Sequence, residues 1–132
     1  MCHCTLERMR GALGQEEWRS AIAKGYSFFL DHFFEPGGVA KYFHDRTYPI
    51  DIHSIAQALI TLVALEHYDE RSLPLAGEVF QWALRHMRSR EGWFYLQKQA
   101  LWTNRIPYMR WSQAWMLLGM AHLAGRVLAE SP

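Results

Sequence analysis

The sequence predicts an all-α fold built from two αα-hairpin repeats. Three observations lead to this expectation: apolar residues recur at helical spacing in four segments, parts of the first half of the chain recur in the second, and a glycine opens the loop at the same point in each copy. Half of the 132 residues are hydrophobic and 14% are aromatic, which excludes a disordered chain and suits one domain with a dense core.

Four helices are expected from the spacing of the apolar side chains. The second and fourth are apolar almost all round, so they are predicted to be inner, buried helices, whereas the first and third carry charged residues and are predicted to lie outside. Pro74 and Pro107 stand near the starts of the third and fourth helices, where a proline is tolerated. The predicted bounds are about 15–34, 52–68, 74–88 and 108–128.

Two longer connections join the outer to the inner helix of each hairpin. They are "EPGGVAKYFHDRTYP" and "SREGWFYLQKQALWTNRIP". The aromatic, alternating stretch "GWFYLQKQ" predicts a short β-hairpin in the second connection.

The recurring segments indicate two copies of one unit. "YSFFLDH" at 26–32 aligns with "FQWALRH" at 80–86, and Gln57 after the first loop aligns with Gln113 after the second. A helical hairpin cannot bury both of its faces alone, so neighbouring hairpins must stack, as they do in an (α/α) toroid. The predicted repeats cover about 15–68 and about 73–128, in a single helical domain at 15–132 that follows an N-terminal extension at 1–14.

Charge and hydropathy narrow the expected partners. The formal net charge is +1 with no long run of either sign, so no nucleic-acid partner is predicted. No apolar run reaches the roughly 18 residues that a membrane span needs, and no signal-peptide pattern is present, so we expect a cytoplasmic protein.

Both cysteines lie in "MCHC" at the start of the chain. We interpret this segment as an exposed start, the alternative being a metal chelated by Cys2, His3 and Cys4. Two cysteines so close together cannot staple a fold. No metal and no cofactor is predicted.

The inner-helix starts carry a resemblance to a known superfamily. "YPIDIHSIAQALITL", together with "GWFYLQKQ" and "YMRWSQAWMLLGMAHL", resembles the C-terminal part of the six-hairpin, (α/α)-toroid proteins. These include uronyl hydrolases, glucuronyl epimerases and related proteins of polysaccharide pathways. The resemblance implies part of a toroid, with ligands bound at the first turns of the inner helices. A full toroid has more hairpins than the two predicted here, so we expect a homo-oligomer or part of a larger toroid. The paired acidic catalytic residues of the uronyl hydrolases have no clear match.

The candidate site follows from the resemblance and from the residue types at these positions. Helix N-termini beside Arg110 and His53 favour an anion, and aromatic rings offer flat faces to sugars. Asp51 and His53 form the best candidate acid/base pair and are the predicted catalytic residues. The predicted substrate-binding residues are Tyr48, Gln57, Tyr95, Tyr108, Arg110, Trp111 and Gln113.

Each assignment has a structural alternative. Asp51 suits a helix cap, Arg110 could pair with Asp51 or Asp45, and Trp111 could pack in the core. Gln57 and Gln113 could bond to the backbone of a neighbouring loop. The leading function is therefore recognition or processing of an acidic saccharide, and the alternative is a non-catalytic helical module for protein interaction or dimerisation.

Overall fold

The structure is a computed structural model that describes residues 2–14 and 16–130, with side chains described for 5–14 and 16–129. These residues form five α-helices, two short helical turns and five two-residue strands. The helices are α1 (Cys2–Leu13), α2 (Trp18–His32), α3 (Ile52–Ala64), α4 (Ser72–His86) and α5 (Ala114–Glu130), with a 3-10 turn at Glu66–Tyr68 and a π-helical turn at Met109–Gln113. The strands are β1 (Phe34–Glu35), β2 (Val39–Ala40), β3 (Ile50–Asp51), β4 (Gln97–Lys98) and β5 (Thr103–Asn104).

The all-α prediction is wrong, because both connections between helices form small antiparallel sheets. Strands β1 and β2 pair as a hairpin after α2, and β3 pairs with β4, which pairs with β5. Backbone groups that pack against helices need partners, and these short ladders supply them. A hairpin does form in the second connection, but its strands are β4 and β5, beyond most of "GWFYLQKQ".

Helix α3 is the centre of the core. Five of its side chains have no exposed surface, and α4 and α5 pack on either side of it. The approach of α5 is close, since a Cβ atom added at Gly119 would lie 3.0 Å from the carbonyl oxygen of Ala56. The fully covered residues of α3 are Ile52, Ile55, Ala56, Leu59 and Leu62.

Helix α5 differs from the prediction of a buried inner helix. Met116 is 0% exposed against α3, but Leu117, Leu118 and Leu128 are 65%, 43% and 71% exposed. An apolar pattern all round a helix predicts neighbours on every side, and the described residues supply them on one side only.

The matched positions of the two halves have the same local contacts. His32 and His86 each bond through Nδ1 to the carbonyl oxygen four residues earlier, at 3.0 Å. Their rings stack on Phe28 and Trp82, with centroids 4.1 and 4.6 Å apart. Helices α2 and α4 therefore end in the same way.

Helix α1 lies in the stretch that the sequence assigned to an extension. It packs against α2 and α3, and the Tyr68 hydroxyl donates to Glu7 Oε2 at 2.8 Å. Its backbone includes Cys2, whereas the side chains of Cys2, His3 and Cys4, on which the chelation alternative depends, lie outside the described ones.

Candidate functional site

A groove of about 490 Å³ opens at the N-terminal half of α3. Helix α3 forms its floor, and α2, the segment after β2 and the first turn of α5 form its sides. Its lining combines aromatic rings with a cation, an imidazole and an amide, and we call it the α3 groove. The lining residues are Phe29, Phe33, Lys41, Tyr42, His53, Ser54, Gln57, Ala58 and Trp115.

Asp51 and His53 are brought together at the rim of this groove. Asp51 caps α3, because its Oδ1 accepts the His53 backbone N–H at 2.8 Å. The same oxygen lies 2.7 Å from His53 Nδ1, while Oδ2 accepts from Gln97 Nε2 at 3.2 Å. The cap is therefore present, and the two side chains that the sequence suggests as an acid/base pair are in contact. Since a carboxylate only accepts, the ring donates from Nδ1, and in the neutral imidazole Nε2 is then the acceptor.

The position of this pair depends on the sheet. Asp51 is the last residue of β3 and pairs with Gln97 of β4, so the second connection holds the carboxylate in place. Asp51 is 13% exposed and His53 is 38% exposed. The carboxylate is thus shielded while the imidazole reaches the groove. The His53 ring also meets the Trp115 ring edge to face, with centroids 6.2 Å apart.

The two aligned glutamines have different environments. Gln113 Oε1 accepts the Phe94 N–H at 2.9 Å, and its Nε2 donates to the Phe94 carbonyl at 2.7 Å. Its amide is therefore engaged by the second loop, as the structural alternative states, and it does not line the groove. Gln57 lines the groove and makes one weaker bond, from Nε2 to Thr61 Oγ1 at 3.3 Å.

Tyr108, Arg110 and Trp111 lie elsewhere, around a separate recess of about 280 Å³ with Met109. The Tyr108 and Trp111 rings stack with centroids 5.9 Å apart, and Trp111 is 61% exposed rather than packed in the core. Among the described side chains Arg110 has no ion-pair partner. The candidate partners are otherwise engaged, since Asp45 lies 3.7 Å from Arg46 and Asp51 contacts His53.

Tyr48 and Tyr95 line neither the groove nor the recess. Tyr48 is 38% exposed and precedes a cis peptide bond to Pro49. Tyr95 is half-buried, and the Arg105 guanidinium lies 5.7 Å from its ring centroid. The structure therefore separates the predicted site residues. His53 and Gln57 line the groove, and the others lie outside its lining.

Sequence reasoning missed several groove residues. Phe29 lies on α2 and Phe33 directly follows its last residue, and this spacing of one turn is as typical of a core face as of a ligand site. Trp115 follows Trp111 by one helical turn, and this spacing could have indicated that Trp115 belongs to the predicted site. Lys41 and Tyr42 follow β2, and only the folded chain brings them to α3. The Lys41 ammonium donates to the His44 carbonyl at 2.9 Å and keeps two further N–H groups.

The groups with shifted pKa values lie at the other end of α3. The Arg10 guanidinium lowers the pKa of Glu7 to about 2, helped by the Tyr68 hydroxyl. Burial and the bond to Glu7 raise the pKa of Tyr68, and Arg71 lowers the pKa of Asp69. The 13 residues of α3 span about 20 Å, so this cluster is remote from the groove. Its contacts connect α1 to the turn that follows α3.

Known proteins give no match for this chain: no family model, no curated protein and no solved structure matches it. In the part of the chain that the structure describes, no helix is long and apolar enough to cross a membrane. No group of three or more His, Cys, Asp or Glu side chains there could hold a metal ion.

Proposed function

We propose that the α3 groove binds an acidic saccharide and that His53, held by Asp51, transfers a proton to or from the bound sugar. The observation that carries the proposal is the meeting of aromatic rings, a lysine and an oriented imidazole at one helix N-terminus. The groove volume of about 490 Å³ falls in the range typical of small-molecule sites, which suits a short saccharide.

The aromatic lining supports a sugar ligand. Phe33, Tyr42 and Trp115 offer flat apolar surfaces on different sides of the groove. The C–H faces of a sugar ring pack on such surfaces, while its hydroxyls need donors and acceptors at the edges. Gln57 and Ser54 provide those groups from the floor.

The charge distribution supports an acidic sugar. Lys41 and the positive end of the α3 dipole lie at the groove, and both favour a carboxylate. Asp51, the carboxylate bonded to His53, already accepts three hydrogen bonds from His53 and Gln97. Because it is shielded and engaged, its repulsion of an anionic ligand is reduced.

The imidazole supports processing as well as recognition. With Nδ1 bonded to Asp51, His53 Nε2 is left to accept a proton from a sugar hydroxyl or from water and to return it later. Asp51 orients the ring and stabilises the imidazolium that forms. In this proposal Asp51 is a positioning residue and His53 is the group that contacts the sugar.

Calorimetric titration with a uronic-acid disaccharide and its neutral counterpart tests the proposal. We expect the wild type to prefer the acidic sugar, Trp115→Ala to lose binding of both, and Lys41→Met to lose the preference. Trp111→Ala and Arg110→Ala are the matched controls, an aromatic residue and a cation outside the groove, and should bind normally. Equal affinity for the two sugars, or unchanged binding by Trp115→Ala, would contradict it.

A further inference from the structure

Helix α5 has an uncovered apolar face on the side opposite α3. Leu117, Leu118 and Leu128 stand out from it, 65%, 43% and 71% exposed, whereas Met116 on the other side is 0% exposed. No described residue packs over this face. An exposed apolar surface along a whole helix marks an interaction surface.

The described side chains of this face carry no fixed charge. Arg126, at its edge, is half-buried and engaged by Glu66. His122 is the titratable side chain on the exposed side, and its Nδ1 bonds to the Leu118 carbonyl at 2.9 Å. A charged partner would find no opposite charge here, whereas two copies of the face can meet without repulsion between fixed charges.

The order of large and small residues makes the face complementary to itself. Ala121 lies at its centre, and the positions three, four and seven residues from Ala121 are exposed on both sides. When two α5 helices cross antiparallel with Ala121 opposite Ala121, each leucine meets a small residue, which is how facing helices interdigitate. The opposed pairs are Leu117 with Gly125, Leu118 with Ala124, and Leu128 with Ala114.

The backbone at Gly125 is open to receive such a side chain. A Cβ atom added at Gly125 meets no atom within 4 Å, in contrast to Gly119 on the α3 side. The exposed positions also repeat at alternating steps of three and four, the spacing of helices that pack in antiparallel pairs.

We infer that α5 is the surface through which two copies of this chain associate, as an antiparallel pair of helices with a two-fold axis at Ala121. In a two-fold interface residue i contacts j and j contacts i, and the pairs above satisfy this condition. Such a pairing closes after two copies. The face would then be buried, as its apolar composition requires.

Substitutions that place a positive or a negative charge at the two-fold axis test this arrangement. Analytical ultracentrifugation should give the wild type twice the mass of one chain. Ala121→Glu and Ala121→Lys should each be monomeric, because each places like charges face to face, with the dimer Kd raised on the order of 100-fold. An equimolar mixture of the two variants should form a heterodimer. Ala12→Glu, an exposed alanine on α1, is the matched control and should stay dimeric.

Each other outcome overturns the inference. A wild type that stays monomeric at high concentration shows that something other than a second copy covers the face. A dimeric Ala121→Glu variant, or a mixture that remains monomeric, shows that the axis is elsewhere. Circular dichroism and thermal melting establish that both variants are folded. As a second measurement, Ala121→Cys in a Cys2→Ser, Cys4→Ser background should oxidise to a disulfide dimer, and Ala12→Cys should not.

Discussion

Gln57 and Gln113 occupy aligned positions in the sequence, yet the structure gives them different environments. Substituting each one separates effects on stability from effects on the groove. Gln113→Leu keeps the side-chain volume but removes both bonds to Phe94, whose N–H and carbonyl then lack partners. Phe94 is 5% exposed, so water reaches these groups poorly. Each unpaired buried group costs about 1–3 kcal/mol, and we expect Gln113→Leu to lower the free energy of unfolding by about 3 kcal/mol.

Gln57→Leu is the matched substitution. Gln57 faces the groove, and its side-chain bond to Thr61 is long, at 3.3 Å. We therefore expect Gln57→Leu to lower the free energy of unfolding by less than about 0.5 kcal/mol. Urea unfolding at neutral pH measures both values, and thermal melting should show a Tm lower by roughly 10 °C for Gln113→Leu only. Saccharide binding should show the reverse order, weaker for Gln57→Leu and normal for Gln113→Leu where it is folded. Equal stability losses in the two variants would refute this reasoning.

Two further predictions concern the scaffold. Because Arg10 lowers the pKa of Glu7 from 4.5 to about 2, the carboxylate stabilises the fold above about pH 4.5, and this contribution fades as the pH falls towards 2. Glu7→Gln should therefore lower the free energy of unfolding at pH 7 by about 1 kcal/mol, since solvent screens the Arg10–Glu7 pair, and flatten its pH dependence between 5 and 2, as urea titrations would show. Gly37 and Gly38 both have φ 85°, but a Cβ at Gly38 would lie 2.3 Å from the Glu78 carbonyl oxygen, and one at Gly37 meets nothing. We expect Gly37→Ala to lower the free energy of unfolding by about 1 kcal/mol and Gly38→Ala to lower it by at least about 2 kcal/mol more. Similar melting temperatures of the two variants would contradict the close approach of Gly38 to Glu78.

The start of α3 and a hairpin in the second connection could be predicted from the sequence, but the sheet in the first connection and the pairing of β3 with β4 could not. Asp51 before an apolar segment is a helix-start signal, and α3 does begin at Ile52, although it ends at Ala64 before a separate 3-10 turn. Strands of two residues, such as Gln97–Lys98, are too short for an alternating pattern to mark them. Strands β3 and β4 pair because folding brings the two connections side by side, whereas β1 and β2 pair within the first connection.

The burial of α5 could not be predicted from its composition. An apolar pattern all round a helix predicts that the helix needs packing partners on every side. It does not predict which of those partners the same chain supplies. Leu117 and Met116 are equally apolar, yet they are 65% and 0% exposed.

The candidate site was predicted in part. His53 and Gln57 follow from their places in the first turns of an apolar helix, and the Asp51–His53 contact follows from their spacing. The distance between the groove and Tyr108 or Arg110 depends on how the turn before α5 packs, and the π-helical turn at Met109–Gln113 has no sequence signal that we could use. Lys41 reaches the groove only through the β1–β2 hairpin.

The most direct test of the central claim is a nitrogen-15 NMR titration of the wild type with a uronic-acid oligosaccharide, following the indole N–H of each tryptophan and the ring of His53. We expect saturable shifts of Trp115 and His53, smaller shifts with the neutral sugar, and none at Trp111. Shifts confined to Trp111 and Tyr108, or no shifts at millimolar sugar, would show that the α3 groove is not the saccharide site.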